Sequence, residues 1–257
     1  MRITLLGTGT SMGVPQIGCP CATCRSSDPR DRRSRTAALI QDAETTILID
    51  TPPELRLQLL AAHVGDVDAV LYTHLHADHV HGIDDLRSFS NQRTAPLPLY
   101  GPREAIDHIR HRFGYIFDPG VVPLAGTSKP RLEAMAIDAG TPIQVGEIPV
   151  LPLGFRHGHE TVFGYRFGRI AYVTDIEAIP DELDVHLRDL DMLVLSALWW
   201  RPHPTHLSIP EAIAIAERLG ATRTILTHLT HETSHAELEA RLPVGVEAGF
   251  DGMTIER

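Results

Sequence analysis

The sequence predicts a layered α/β (α+β) protein, and three features carry that expectation. Short apolar, β-branched runs alternate with helical patterns along all 257 residues. Many of those runs stop at a histidine or an aspartate, and no linker-like stretch divides the chain. One domain spanning residues 1–257 is therefore expected.

Arg2 to Leu6 reads as the first strand and leads into the loop Gly7-Thr8-Gly9-Thr10-Ser11. Thr45 to Ile49 stops at Asp50, and Ala69 to Tyr72 stops at Thr73-His74-Leu75-His76-Ala77-Asp78-His79. Arg103 to Arg112 has helical spacing, with Ile106, Ile109 and Phe113 facing inward. Ile148 to Phe155 then runs into His157, and Ile170 to Val173 into Asp175. A further helical segment covers Leu183 to Leu190. Met192 to Leu195 stops at Ser196, and Thr224 to Leu226 at His228. Between them, Ser208 caps a helix whose Glu211 completes a capping box and whose Pro210 sits in the first turn. Ile209, Ala212, Ile213, Ala216 and Leu219 form its apolar face, and Gly220 ends it.

Composition narrows the function. The apolar fraction of 43% is ordinary for a globular protein. No apolar run approaches the ~18 residues a membrane span needs, so no membrane partner is expected. Met1 to Gly7 is too short in its apolar core for a secretory signal, and a soluble cytoplasmic protein is expected. The net charge of −10 argues against a nucleic-acid surface, while a small anionic substrate stays compatible if metals invert the local field. The basic run Arg30 to Arg35 reads as a solvated loop.

Three imidazoles and a carboxylate fall within six positions at His74, His76, Asp78 and His79. A tight loop after a strand would aim His74 and His76 at one point and Asp78 and His79 at a neighbouring one. Two divalent cations could be held so, with a shared water between them. The three cysteines, Cys19, Cys21 and Cys24, have C-x-C-x2-C spacing in a loop at 19–24. An odd count makes a poor disulfide set and a good set of soft zinc ligands, with a fourth ligand due from elsewhere.

The H-x-H-x-D-H string, the later His157, the strand-end Asp175 and the last His228 together resemble the metallo-β-lactamase superfamily. That resemblance implies a four-layer αββα sandwich with metals at one edge. Gly13-Val14-Pro15, Gly18 with the cysteines, His228-Leu229-Thr230-His231 and Gly249-Phe250-Asp251-Gly252-Met253 are similar to the cyclic-phosphate phosphodiesterases of the carbon–phosphorus lyase pathway. The resemblance implies one metal on His74, His76 and His157, and a second on Asp78, His79 and His228. Asp175 would bridge them, both being zinc or manganese. His157 is preferred over His159 because it comes first after its strand. Cys19, Cys21, Cys24 and His231 would hold a separate structural zinc.

The same resemblance makes His206 a general acid and gives Asp78 a second task in orienting the nucleophile. Asp50 is expected to hold a ligand histidine or to cap a strand. A homodimer is implied by resemblance alone. The run Ser196-Ala197-Leu198-Trp199-Trp200-Arg201 departs from the family pattern, which is more polar there. Hydrolysis of a small phosphodiester is the resulting expectation. A thioesterase or lactonase, a tRNA-type nuclease and a non-catalytic ligand carrier are the competing ones.

Overall fold

In the computed structural model, which describes residues 1–256, two seven-stranded sheets lie face to face between helices. The first sheet holds β1 (Arg2–Gly7), β2 (Ala37–Asp42), β3 (Thr45–Ile49), β4 (Ala69–Leu71), β5 (Leu97–Gly101), β6 (Leu132–Ala136) and β14 (Thr254–Glu256). Its order is β14-β1-β2-β3-β4-β5-β6. The second holds β7 (Ile143–Val145), β8 (Ile148–His157), β9 (Glu160–Phe167), β10 (Ile170–Val173), β11 (Met192–Ser196), β12 (Arg223–Thr227) and β13 (Val246–Ala248). Its order is β13-β12-β11-β10-β9-β8-β7.

The period of two along each strand divides the apolar side chains between faces. Ile47 and Ile49 of β3, with Ile170 and Tyr172 of β10, meet in the core between the sheets. Leu48 faces the other way, into a layer built with Leu55 and Leu59 of α1 (Leu55–Ala61), Val80 of α2 (Ala77–Val80) and Phe89 of α3 (Arg87–Ser90). Ile106 and Ile109 of α4 (Arg103–Arg112) and Ile116 of α5 (Gly114–Phe117) complete that layer. Val173 and Leu195 pack outward on Leu187 of α6 (Asp184–Leu187), Ala212 and Leu219 of α7 (Ile209–Leu219) and Leu238 of α8 (His235–Glu239). Helix, sheet, sheet, helix is the resulting stack, the four-layer order that the superfamily resemblance implied.

Strand direction decides where the chemistry goes. β3, β4, β5 and β6 are mutually parallel, as are β10, β11, β12 and β13. β8 pairs antiparallel with β9, and β9 antiparallel with β10, so β8 runs the same way as β10. The C-terminal ends of β8, β10, β11 and β12 therefore share one edge of their sheet.

Most expected elements fall within a residue or two of their expected bounds. Ser208 caps α7 with both arms of the capping box, although Ile215 is more deeply buried than Ile213. Leu183 to Leu190 is not one helix: a 3-10 turn at Asp181–Leu183 passes into the single turn of α6. Arg30 to Arg35 is only partly solvated. Arg33 is buried and donates to Thr8 Oγ1 at 2.9 Å, while Arg35 donates to the Ser11 carbonyl at 3.0 Å. Neither guanidinium is free for phosphate.

The N-terminal glycine loop joins the two sheets. The Leu229 N–H donates to the Thr8 carbonyl at 2.9 Å, and Gly9 bridges both Arg35 and Leu229. A side chain at Gly7 would collide with the Arg35 carbonyl. Asp251 accepts from Thr8 N and Oγ1 and from Ser34 N and Oγ at 2.6–2.9 Å, which accounts for the aspartate in the closing Gly-Phe-Asp-Gly turn.

Candidate metal centre

Five chain segments deliver polar side chains to one edge. The loop after β4 brings His74, His76, Asp78 and His79, and β8 ends on His157. Asp175 follows β10, His206 precedes α7, and His228 follows β12. Donor atoms of His74, His76 and His157 lie within 4.8 Å of one another, as do those of Asp78, His79 and His228. Asp175 stands between the two groups. Its Oδ2 is 3.2 Å from His79 Nε2, and its Oδ1 is 2.9 Å from His228 Nε2. The structure thus gathers all seven residues, and it places His157 rather than the exposed turn residue His159 among them.

Three of the imidazoles, His74, His79 and His157, have Nδ1 held and Nε2 offered. Nδ1 of His74 meets Thr73 Oγ1 at 2.9 Å, and Nδ1 of His157 meets the Thr205 carbonyl at 2.9 Å. His79 Nδ1 is 2.7 Å from Asp50 Oδ2, and Asp50 also accepts from Thr73 N and Oγ1 at 2.8 Å. Asp50 is fully buried and holds a histidine of the site. Nε2 of His74 is buried with no protein partner, and Nε2 of His79 is buried with no hydrogen bond, facing only the Asp175 and Asp78 carboxylates. Leaving such groups unmet costs about 1–3 kcal/mol each.

Charge follows the same division. Burial opposes a proton on His79, yet Asp50, Asp78 and Asp175 outweigh it and hold its pKa well above the usual value. Burial, reinforced by His79, pushes His74 well below. Burial also works against an ionised Asp175, but His228 and His79 prevail and keep it a carboxylate. Concentrated carboxylate charge facing unpartnered imidazole nitrogens fits divalent cations of borderline softness.

Cys19, Cys21, Cys24 and His231 form a separate group within 4.8 Å. His231 Nδ1 lies 3.4 Å from Cys19 Sγ and 3.3 Å from Cys21 Sγ. The His231 contact and the Cys24 N–H lower Cys21 to about 6, whereas burial raises Cys24 to about 11. Three sulfurs and one imidazole suit tetrahedral zinc, and the zinc would supply the charge that ionises the remaining thiols.

A family model described as Beta-lactamase superfamily domain matches residues 45–229. The chain belongs to the metallo-β-lactamase superfamily. A Porphyromonas gingivalis (strain ATCC BAA-308 / W83) protein named octanoyltransferase is 40% identical over 256 residues, covering 98% of this chain and 51% of that protein. The chain therefore spans about half the length of that relative. A crystal structure described as a new diphosphatase from the PhnP family superposes with a TM-score of 0.91 at 40% identity, covering 100% of this chain and 97% of that one. Zinc-bound PqqB from Methylobacterium extorquens shares the fold, with a TM-score of 0.81 at 19% identity and full coverage of both chains.

This superfamily member has a cavity of about 350 Å³ beside the centre, lined in part by Met12, Gln16, Trp199, His203, His206 and Glu232. His206 stacks on His228 with ring centroids 4.9 Å apart, and its Nδ1 is 3.4 Å from Asp175 Oδ1. Burial and then His228 lower its pKa to about 3, and Asp175 acts in the opposite direction. The His203 ring lies 5.1 Å from that of His206 and packs edge-on against Trp199 at 5.2 Å. Its position two residues past Arg201 carried no periodic signal that could have found it. Arg201 covers the Trp199 ring at 3.6 Å and pairs with Glu232 at 2.7 Å. Trp200 instead packs on the helix-side core and donates to Thr233 Oγ1 at 2.9 Å. The two tryptophans thus divide into a cavity wall and a packing residue.

Proposed function

We propose that this metallo-β-lactamase-fold hydrolase cleaves a small phosphodiester, cyclic or linear, at a pair of zinc or manganese ions. One observation carries the reading: two three-residue donor groups meet at Asp175, and His206 stands between them and a cavity of mixed polar and apolar lining. Bound divalent cations would lower the pKa of a shared water and draw charge from the phosphoryl oxygens. His74, His76 and His157 would hold one ion, Asp78, His79 and His228 the other, with Asp175 between them.

The chain's own residues do the remainder. Asp78 Oδ2 lies 3.5 Å from His79 Nε2, where it can bind and also orient the attacking group. His206 lines the cavity, and in its imidazolium form, with Asp175 Oδ1 3.4 Å from Nδ1 as counter-charge, it would pass a proton to the alcohol leaving into that cavity and end as the neutral ring. Glu232, Gln16 and the hydroxyls of Thr10, Ser11 and Thr230 offer hydrogen bonds to a polar leaving group. Likeness to a PhnP-family diphosphatase over the whole chain supports phosphoryl chemistry.

The name of the Porphyromonas relative favours a second reading, hydrolysis of an acyl thioester. Among the described residues all cysteines belong to the separate thiolate group, so the centre has no thiol for acyl transfer, and direct hydrolysis of the thioester is the form of this reading that competes. A panel decides between the readings. Protein loaded with zinc or manganese should turn over bis(p-nitrophenyl) phosphate and a cyclic phosphodiester with kcat/KM at least 100-fold above that for an octanoyl thioester. A nucleoside diphosphate tests the diphosphatase variant of the same chemistry. Preference for the thioester would replace the phosphodiester reading, and binding without turnover of any substrate would leave a ligand carrier.

A further inference from the structure

His76 differs from its neighbours. It is the most exposed imidazole in its group, with 42% of its side chain accessible, whereas His74 and His157 are buried. An exposed ring keeps its rotamer freedom unless something restrains it. The nitrogens already held on His74, His79 and His157 are all Nδ1, gripped by Thr73, Asp50 and the Thr205 carbonyl. On His76 the nearby group faces the other nitrogen: Glu160 Oε2 lies 3.4 Å from Nε2. That carboxylate oxygen is itself cut off from solvent and has no hydrogen-bond partner in the protein.

Strand register makes the arrangement specific. His157 and Glu160 are cross-strand partners that close the β8–β9 hairpin across Gly158 and His159. The turn is pinned, because the Gly158 N–H donates to Glu177 Oε2 at 3.2 Å. One hairpin thus presents His157 to the centre and, from the opposing strand, a carboxylate to a second histidine of the same group.

We infer that Glu160 is a positioning residue for His76: it accepts the Nε2–H and leaves Nδ1 facing the cation. The inference rests on the metal-binding reading of the site and is independent of the substrate. A carboxylate behind a ligand imidazole fixes its tautomer and raises its basicity, and losing one typically costs 10–100-fold in metal affinity.

The test uses the full chain loaded with cadmium-113, with nitrogen-15 NMR of the histidines. The expected wild-type result is cadmium coupling to Nδ1 of His76 and to Nε2 of His74 and His157. Glu160→Gln should then lower cadmium and zinc affinity at this site by 10–100-fold, measured by chelator competition, while the His157 coupling persists. Coupling to His76 Nε2 in the wild type, or affinity in Glu160→Gln within threefold of wild type, would overturn the inference. Loss of the His157 coupling in the variant would also overturn it, because the hairpin itself would then be what Glu160 supports. A wild-type protein that binds no metal at His74, His76 and His157 would instead defeat the metal-binding reading, and the inference with it.

Discussion

Asp50, Asp175 and His228 all hold left-handed backbone, with φ of +62°, +56° and +59°. Such a conformation costs a residue with a side chain about 1–2 kcal/mol. All three sit just past strand ends, where the chain must turn sharply while the side chain still reaches the centre. Strain gathered at these positions is a mark of a functional edge. Residue types at this scale were largely legible: the H-x-H-x-D-H spacing and the thiol trio identify donors by chemistry alone. The choice of His157 over His159 was decided by hairpin register, which turns His159 to solvent. His206 makes the sharpest residue-level prediction. His206→Ala should lower kcat by roughly 10²–10⁴-fold on a dialkyl phosphodiester and far less on bis(p-nitrophenyl) phosphate, whose leaving group needs little protonation. Steady-state kinetics on both substrates checks this, and equal losses would assign His206 to substrate positioning.

At the scale of elements, what could be read depended on how local the signal was. α7 was legible because its capping box, first-turn proline, apolar face and terminal Gly220 all lie within thirteen residues. Ser208→Ala should remove both hydroxyl bonds with Glu211, keep the one its backbone N–H donates, and destabilise the protein by about 1 kcal/mol in a denaturant melt. Metal content should not change, because Ser208 touches none of the candidate ligands. The strands β2, β5, β6 and β9 were not singled out from the sequence. β2 ends in Gln41 and Asp42, β5 contains Pro98, and β9 opens on Glu160, so their apolar runs are short or interrupted. Their edges are fixed by pairing with neighbours distant in the chain, such as β2 with β1 and β3. The expected helix from Leu183 to Leu190 failed for a related reason. The residues after Pro180 begin as a 3-10 turn, and extended backbone at Arg188 followed by Asp189 with φ of +56° ends α6 after one turn.

At the scale of the whole molecule, distant stretches are tied together at both metal-ligand clusters. The cysteine group joins the loop at 19–24 to His231, only three residues beyond His228 of the candidate metal centre. Cys24→Ser should therefore cost one equivalent of zinc and lower the thermal midpoint by about 5 °C or more, at roughly 2–4 °C per kcal/mol. Elemental analysis with a thermal melt checks this, and an unchanged metal content would exclude zinc from the cluster. Chelation should act in two stages if the hydrolytic pair and the thiolate site differ in affinity. No helix among the described residues is long and apolar enough to cross a membrane. By itself the sequence determined which residue types could bind metal, the apolar periods of the main strands and α7, and the α/β layering that follows from them. These are properties of neighbours along the chain. Only the tertiary structure decided that Asp175 lies between the two groups, that Glu160 faces His76, and that Trp199 rather than Trp200 walls the cavity. Those facts depend on the register of strands and the packing of two sheets, where the energy of contact is shared by residues up to hundreds of positions apart.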